Sequence, residues 1–511
     1  MTDRRLGRWL IPASALVLVA CGSDGGGTNP SPSPSASPSP SATAIGSLGA
    51  DGWASTAGGT TGGDGATAAK TYTVTNRNEL LQALYGGTAT IAADGGVTGT
   101  LDADRKIIYV KGTISLNVNQ ALVEQRADDF VKGSCAATQF GFASEAALWA
   151  AYYAAFRPSV WGNATIVSGT PESARACAAA AQKKVVMVNV PSNTSIIGLG
   201  SDARIVHGNL ILGTSSAPVD NIVVRNVTFE DAFDFFPQWD PTDSTTGRWN
   251  SAYDLISVLY ATHIWIDRST FSDGARLDKT YPSVWTETVG GVDYRGSDFK
   301  VQHHDGLVDV TKLGNLVTIS NSLFFNHDKS FLIGGTDTAS RTAENPSVLK
   351  VTFHDNYFRS LRQRQPRVRF GQVHVYNNYY EGTLDPAADY PWLVGWTVGQ
   401  SGKIYAENNV FQITGGDAAA AAASLWSVSV SAARTSGCVG LGYTTADCAA
   451  TFAATGTVLN GASVDVATPL LAKYPLVSGA SWLPIASYAY VAKPTTGLSA
   501  AIIATAGAGK F

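Results

Sequence analysis

Charge is scarce in this sequence. Of its 511 residues only 15% are Asp, Glu, Lys or Arg, and the net charge is -4. A field this weak and of this sign argues against general binding to nucleic acid. Long apolar runs are also missing. Leu10 to Ala20 is the one apolar stretch near the start, and it is too short for a spanning helix. Cysteine is limited to five residues, and their spacing fits no zinc motif. Asn-Gly and Asp-Gly hairpin loops between alternating runs are few, which argues against an antiparallel sandwich or propeller. What the chain does have is glycine, 52 residues of it, with Thr, Val, Tyr and Asn recurring through the middle. That composition suits a β-rich extracellular protein better than a helical one.

The start of the chain reads as an address. Arg4, Arg5 and Arg8 precede the apolar stretch, which ends in Leu18-Val19-Ala20-Cys21. Residues 1–21 resemble a bacterial lipoprotein signal, with Cys21 as the lipidated first residue of the mature chain. An ordinary secretory signal with an incidental cysteine is the alternative, and either one exports the protein. The Ser/Pro-rich stretch 22–48 cannot bury a core and reads as an extended tether. Residues 49–511 read as one domain. The four remaining cysteines suggest two disulfides in an exported chain. The local pairings Cys135–Cys177 and Cys438–Cys448 are favoured, since each lies within one segment.

One pattern recurs from the middle onward: a short alternating strand, then Asn or a similar residue, then an aromatic. Its closing aromatics are Phe229, Phe271, Phe324, Phe358, Tyr380 and Phe411, and the gaps between them run from 22 to 53 residues. A constant core at unequal spacing is what a solenoid gives when loops of varied length interrupt its coils. An all-β parallel β-helix is therefore expected, with Val and Ile inside, Asn ladders at the bends and stacked aromatics. Residues 120–185 differ. The alanine-rich runs Ser144 to Phe156 and Pro171 to Lys184 predict a helical insertion held by Cys135–Cys177, and the alanine run at 418–423 predicts another helix.

Chemistry gathers in two places. Asp305 and Asp309 stand four apart behind His303-His304, and Asp254 lies about one coil earlier. Stacked coils would bring three such carboxylates together as hard oxygen ligands suited to Ca²⁺. His303 and His304 are expected to be structural rather than zinc ligands. The second place is a cationic stretch: Lys329 in His327-Asp328-Lys329, then Arg362, Arg364, Arg367 and Arg369 within eight residues. Arginine grips carboxylates in a planar, two-pronged fashion. Acidic residues on some coils and cationic ones on the next would suit an anionic polymer bridged by Ca²⁺.

These residues carry a resemblance. Phe236-Pro237-Gln238-Trp239-Asp240-Pro241-Thr242-Asp243, Trp265-Ile266-Asp267, His304-Asp305-Gly306, His327-Asp328-Lys329 and the run from Arg364 to Tyr380 look like the pectate lyases of polysaccharide lyase family 1. So does Gly58-Gly59-Thr60-Thr61-Gly62-Gly63. The match runs from about Gly52 to about Phe411. It implies a right-handed parallel β-helix that cleaves polygalacturonate by Ca²⁺-dependent β-elimination, leaving 4,5-unsaturated ends. It also implies Asp254, Asp305 and Asp309 as Ca²⁺ ligands, with Asp243 helping when substrate is bound. Lys329 and Arg369 become contacts to substrate carboxylates, and Arg364 the base. Neighbouring cations would disfavour a further positive charge on Arg364, which predicts an alkaline optimum. Arg362 and Arg367 would shape the local field or brace the loop. Arg268, where the family usually has His, bears on local packing. A pectin lyase acting on methyl-esterified polymer, and a non-catalytic lipoprotein that captures pectic fragments, are the alternatives. The expected protein is a monomer, secreted or anchored as a cell-surface or outer-membrane lipoprotein of a bacterium.

Overall fold

The computed structural model describes residues 49–480 and 482–510. The expected signal segment with Cys21 and the tether 22–48 lie outside the described residues.

The chain winds through three long sheets of eleven, ten and eight strands. A coil takes one strand from each. Ile256–Leu259 leads to Ala261–Asp267 and then Thr270–Ser272, and the next coil repeats this as Val308–Thr311, Asn315–Ser320 and Leu323–Lys329. Sheet 1 contains Ala261–Asp267, sheet 2 Thr270–Ser272 and sheet 3 Ile256–Leu259. Neighbouring coils pair in parallel, for example Ile264 on Val317 and Phe271 on Phe324. This is the parallel β-helix that the recurring pattern predicts.

The register explains why that pattern recurs. Val224, Ile266, Ile319, Phe353 and Val375 stack in one column of sheet 1, all buried. The closing aromatics form a second column. Phe229, Phe271, Phe324, Phe358, Tyr380 and Phe411 stack pairwise at 4.3–5.5 Å between ring centroids. Each such pair adds about 0.5–1.5 kcal/mol beyond its area burial. The Asn residues have two jobs at the bend. Asn377 and Asn408 take left-handed backbone (φ 51° and 49°), which Asn tolerates better than most residues. Asn378 and Asn409, one residue later, form a buried ladder: Asn356 donates to Asn378 at 3.0 Å and Asn378 to Asn409 at 3.1 Å.

The insertion is helical, as expected. Glu145–Phe156 is capped by Ser144, whose hydroxyl accepts from the Ala147 N–H, and Thr170–Val186 packs beside it. Cys135–Cys177 ties the insertion together, and Cys438–Cys448 closes the later loop. Ala418–Ala423 is a helix capped by Asp417. The amino-terminal glycines lie against sheet 1. A side chain on Gly63 would overlap the Lys106 carbonyl, so close approach of backbones requires glycine there. Arg268 pairs with the buried Asp267 at 3.6 Å, at the corner between sheets 1 and 2. Among the described residues, no helix is long and apolar enough to cross a membrane.

Candidate active site

The corner between sheets 2 and 3 collects Asp254, Asp305, Lys329 and Arg364, with Asp309 just inside sheet 3; Arg369 lies at the other end of a sheet 3 strand, toward sheet 1. Asp254 and Asp305 immediately precede successive sheet 3 strands, and Asp309 lies within the second of them. In register, Ser257 pairs with Asp309, so the aspartates of two coils come to one place. Asp254 Oδ1 accepts from the Gly306 N–H at 2.9 Å, and its Oδ2 from the Ser257 hydroxyl at 2.5 Å. Asp309 Oδ1 accepts from the Leu332 N–H at 2.9 Å. Gly306 sits between the two carboxylates: a carbon added to it would lie 2.7 Å from Asp254 Oδ1 and nearer still to Asp309 Oδ1.

The three carboxyls do not share one electrostatic fate. Burial, then repulsion from Asp305, raises Asp254 to about 6. Burial, then Asp254 and Asp305, holds Asp309 well above the usual carboxylate range. Burial also pushes Asp305 up, but Lys329 and Arg364 outweigh it and hold it below its ordinary value. Asp254 and Asp309 meet around Gly306 and Asp305 repels both, so a divalent cation would relieve the site. All are hard oxygens, which fits Ca²⁺.

The cations arrive from the adjoining coils. Lys329 ends the strand Leu323–Lys329, and its Nζ lies 2.9 Å from Asp305 Oδ1. Arg364 follows Tyr357–Gln363, takes left-handed backbone (φ 59°), and accepts the Phe331 N–H at its carbonyl. Its Nε is buried without a hydrogen-bond partner among the described residues. Such a backbone costs a bulky residue roughly 1 kcal/mol or more and clusters at functional sites. Arg369 follows Arg367–Val368, with Nε on Asp337 Oδ1 at 2.6 Å and Nη1 on the Gly334 carbonyl at 3.1 Å. Arg362 braces the loop, pairing with Asp328 at 3.5 Å. Burial, then Arg369 and Arg364, lowers Arg367 to about 10.

A cleft of about 670 Å³ opens beside this corner, and Lys329, Arg364 and Asp243 all line it. The three aspartates do not, and lie next to it. Asp243 is exposed in the turn between Gln238–Asp240 and Arg248–Asn250. Among the described residues, no hydrogen bond or ion pair joins it to the trio.

His303 and His304 were expected on opposite faces of a strand, but they sit in a loop. His303 stacks on Phe233 at 4.3 Å, while His304 is buried against Asp231 at 2.9 Å. Behind the trio lies an ionic network that sequence reasoning missed. His327 bridges the Asp305 carbonyl (2.7 Å) and Asp273 (2.5 Å), Tyr390 donates to Asp273 at 2.5 Å, and Lys300 pairs with Asp278 and Asp328. Asp273, Asp278 and His304 converge closely enough to hold an ion. Their charges are answered internally, however: Asp273 and its acidic neighbours overcome burial and raise His304 to about 10, keeping it cationic. His304-Asp305-Gly306 and His327-Asp328-Lys329 were the signals of this network in the sequence.

The family model described as pectate lyase matches residues 133–511. A pectate lyase of Bacillus subtilis is 39% identical over 461 residues, covering 90% of this chain and 92% of that protein. Pectate lyase A of Dickeya chrysanthemi is 31% identical, covering 90% and 88%. The solved structure of a pectate lyase from Acidovorax avenae subsp citrulli superposes with a TM-score of 0.90 at 58% identity, covering 94% of this chain and 98% of that one. A pectate lyase solved with a bound hexasaccharide gives a TM-score of 0.71 at 37% identity, covering 90% and 97%.

Proposed function

The chain belongs to the pectate lyases of polysaccharide lyase family 1, and from that premise we propose that it cleaves de-esterified polygalacturonate by Ca²⁺-dependent β-elimination. The observation that carries this reading is the corner itself. Asp254 and Asp309 meet around Gly306, Lys329 holds Asp305 beside them, and Lys329 and Arg364 line the adjoining cleft.

Asp254, Asp305 and Asp309 would hold Ca²⁺, with Asp243 at the cleft rim as a further ligand once substrate is present. Bound there, Ca²⁺ would neutralise the uronate carboxylate next to C5, acting as a Lewis acid. Lys329 and Arg369 grip substrate carboxylates and fix the sugar. Arg364 removes the C5 proton, the C4–O4 bond breaks, and a 4,5-unsaturated end results. The leaving oxygen takes its proton from water. The buried, unpartnered Arg364 Nε and its constrained backbone suit a group aimed at one atom.

We further propose that the protein is exported as a monomer and tethered through Cys21, which would hold the groove away from a membrane. The function is tested by following unsaturated product with and without chelator on polygalacturonate and on highly methyl-esterified pectin. Loss of activity in chelator, with preference for the unesterified polymer, is expected. Chelator-resistant cleavage of esterified pectin would overturn the reading.

A further inference from the structure

Arg369 is not an unclaimed cation. Asp337 takes its Nε edge at 2.6 Å, in a pair whose side chains keep 12% and 27% of their exposure. Asp337 belongs to the loop between Leu332–Ile333 and Lys350–His354, and that loop is pinned on two sides. From within, Glu344 Oε1 accepts from the Gly335 N–H at 3.0 Å and the Lys312 N–H at 3.3 Å. From outside, it meets the segment closed by Cys438–Cys448. Arg341 donates to the Leu441 carbonyl and lies 5.0 Å over the Tyr443 ring, and Tyr443 donates to the Ser340 carbonyl at 3.4 Å. Asp337 is thus held against Arg369 by the fold rather than by the pair alone.

A fixed internal carboxylate changes what Arg369 offers a ligand. It cancels much of the guanidinium's charge and repels a second carboxylate, but it does not repel a methyl ester. We propose that Asp337 is a specificity-determining residue, tempering Arg369 so that methyl-esterified galacturonate competes better with the charged sugar at that position. The proposal rests on Arg369 as a substrate contact. It assigns the enzyme a tolerance for partly esterified pectin that an unpaired arginine would not give.

Asp337→Asn keeps an acceptor oxygen for Arg369 Nε and removes only the charge. The measurement is kcat/KM for unsaturated product on polygalacturonate and on a pectin of intermediate esterification, with thermal melts to confirm folding. Asp337→Ser repeats the charge removal should the amide misfold. Asp337→Asn should raise the ratio of the two values on the order of threefold, the scale of a partly screened ion pair. It should have no such effect when Arg369 is already Gln. An unchanged ratio, or an equal shift in the Arg369→Gln background, overturns the proposal. Wild-type protein releasing no unsaturated product would instead overturn the lyase reading. Active wild type with an Arg369→Gln variant unaltered on both substrates would remove the Arg369 premise, and the proposal with it.

Discussion

Gly306→Ala places a single methyl group between two of the proposed ligands. The added carbon would stand 2.7 Å from Asp254 Oδ1 and closer to Asp309 Oδ1, where real side-chain carbons keep at least 3.0 Å. Asp254 must therefore retreat by a few tenths of an ångström, and Asp309 by more. The Gly306 φ lies outside the left-handed region, so the effect is crowding rather than backbone strain. Metal sites tolerate ligand displacements of only about 0.2 Å, and disturbing the groups that orient ligands costs about 10–100-fold in affinity. The Ca²⁺ concentration giving half-maximal activity should rise by about that factor, or about 1.4–2.7 kcal/mol. At saturating Ca²⁺ a large part of the turnover should return, because Lys329, Arg364 and Arg369 are untouched. The assay is unsaturated-product absorbance across a Ca²⁺ series, with calorimetric Ca²⁺ titration as a direct check. A folded Gly306→Ala protein with wild-type Ca²⁺ dependence would refute the placement of the ion between Asp254 and Asp309.

Four other outcomes are expected. Arg364→Lys should lose about 100-fold or more in kcat, the usual worth of a positioned base, with its Ca²⁺ requirement unchanged; near-full turnover would reject Arg364 as the base. The contribution of Asp254 to the stability of the metal-free protein, read as wild type against Asp254→Asn, should fall as pH rises from about 4 to 7. Asp254 is raised to about 6 in the folded state, so the folded protein holds a proton that the unfolded chain has released, and losing it exposes the repulsion. Added Ca²⁺ should raise the melting temperature more at pH 8 than at pH 5, and equal shifts would count against the carboxylate site. Phe324→Ala removes a ring packed at 4.7–5.5 Å from Phe271, Phe331 and Phe358. It should cost about 3–5 kcal/mol in denaturant unfolding, and a loss under about 1 kcal/mol would show that the aromatic column does not hold the coils.

The fold was legible because a solenoid writes its architecture locally. Phe271, Phe324 and Phe358 are far apart in sequence, yet each follows the same short strand, and parallel stacking turns that likeness into contact. The approach of Asp254 to Asp309 was readable for the same reason: one coil separates them. The partners supplied by insertions were not readable. Asp337 holds Arg369 and Tyr390 holds Asp273, but both come from loops with no repeating register, so spacing carries no trace of where they land. Lys300 sits in a long excursion between coils, and only its pairing with Asp278 and Asp328 shows why a half-buried lysine is tolerated there. His303 and His304 were expected to be structural, and each is engaged by the surrounding fold. The expected reason, opposite faces of a strand, does not apply, since a loop sends one to Phe233 and the other to Asp231.

The central claim is that this corner eliminates across C4 and C5 of polygalacturonate with Ca²⁺ in place. Its most direct test follows the ultraviolet absorbance of the unsaturated product on unesterified polygalacturonate at alkaline pH, in added Ca²⁺ and then in excess chelator. Absorbance should rise steadily in Ca²⁺, stop on chelation and resume when Ca²⁺ is restored. No rise in Ca²⁺ with folded protein, or a rise that chelator leaves untouched, would contradict it.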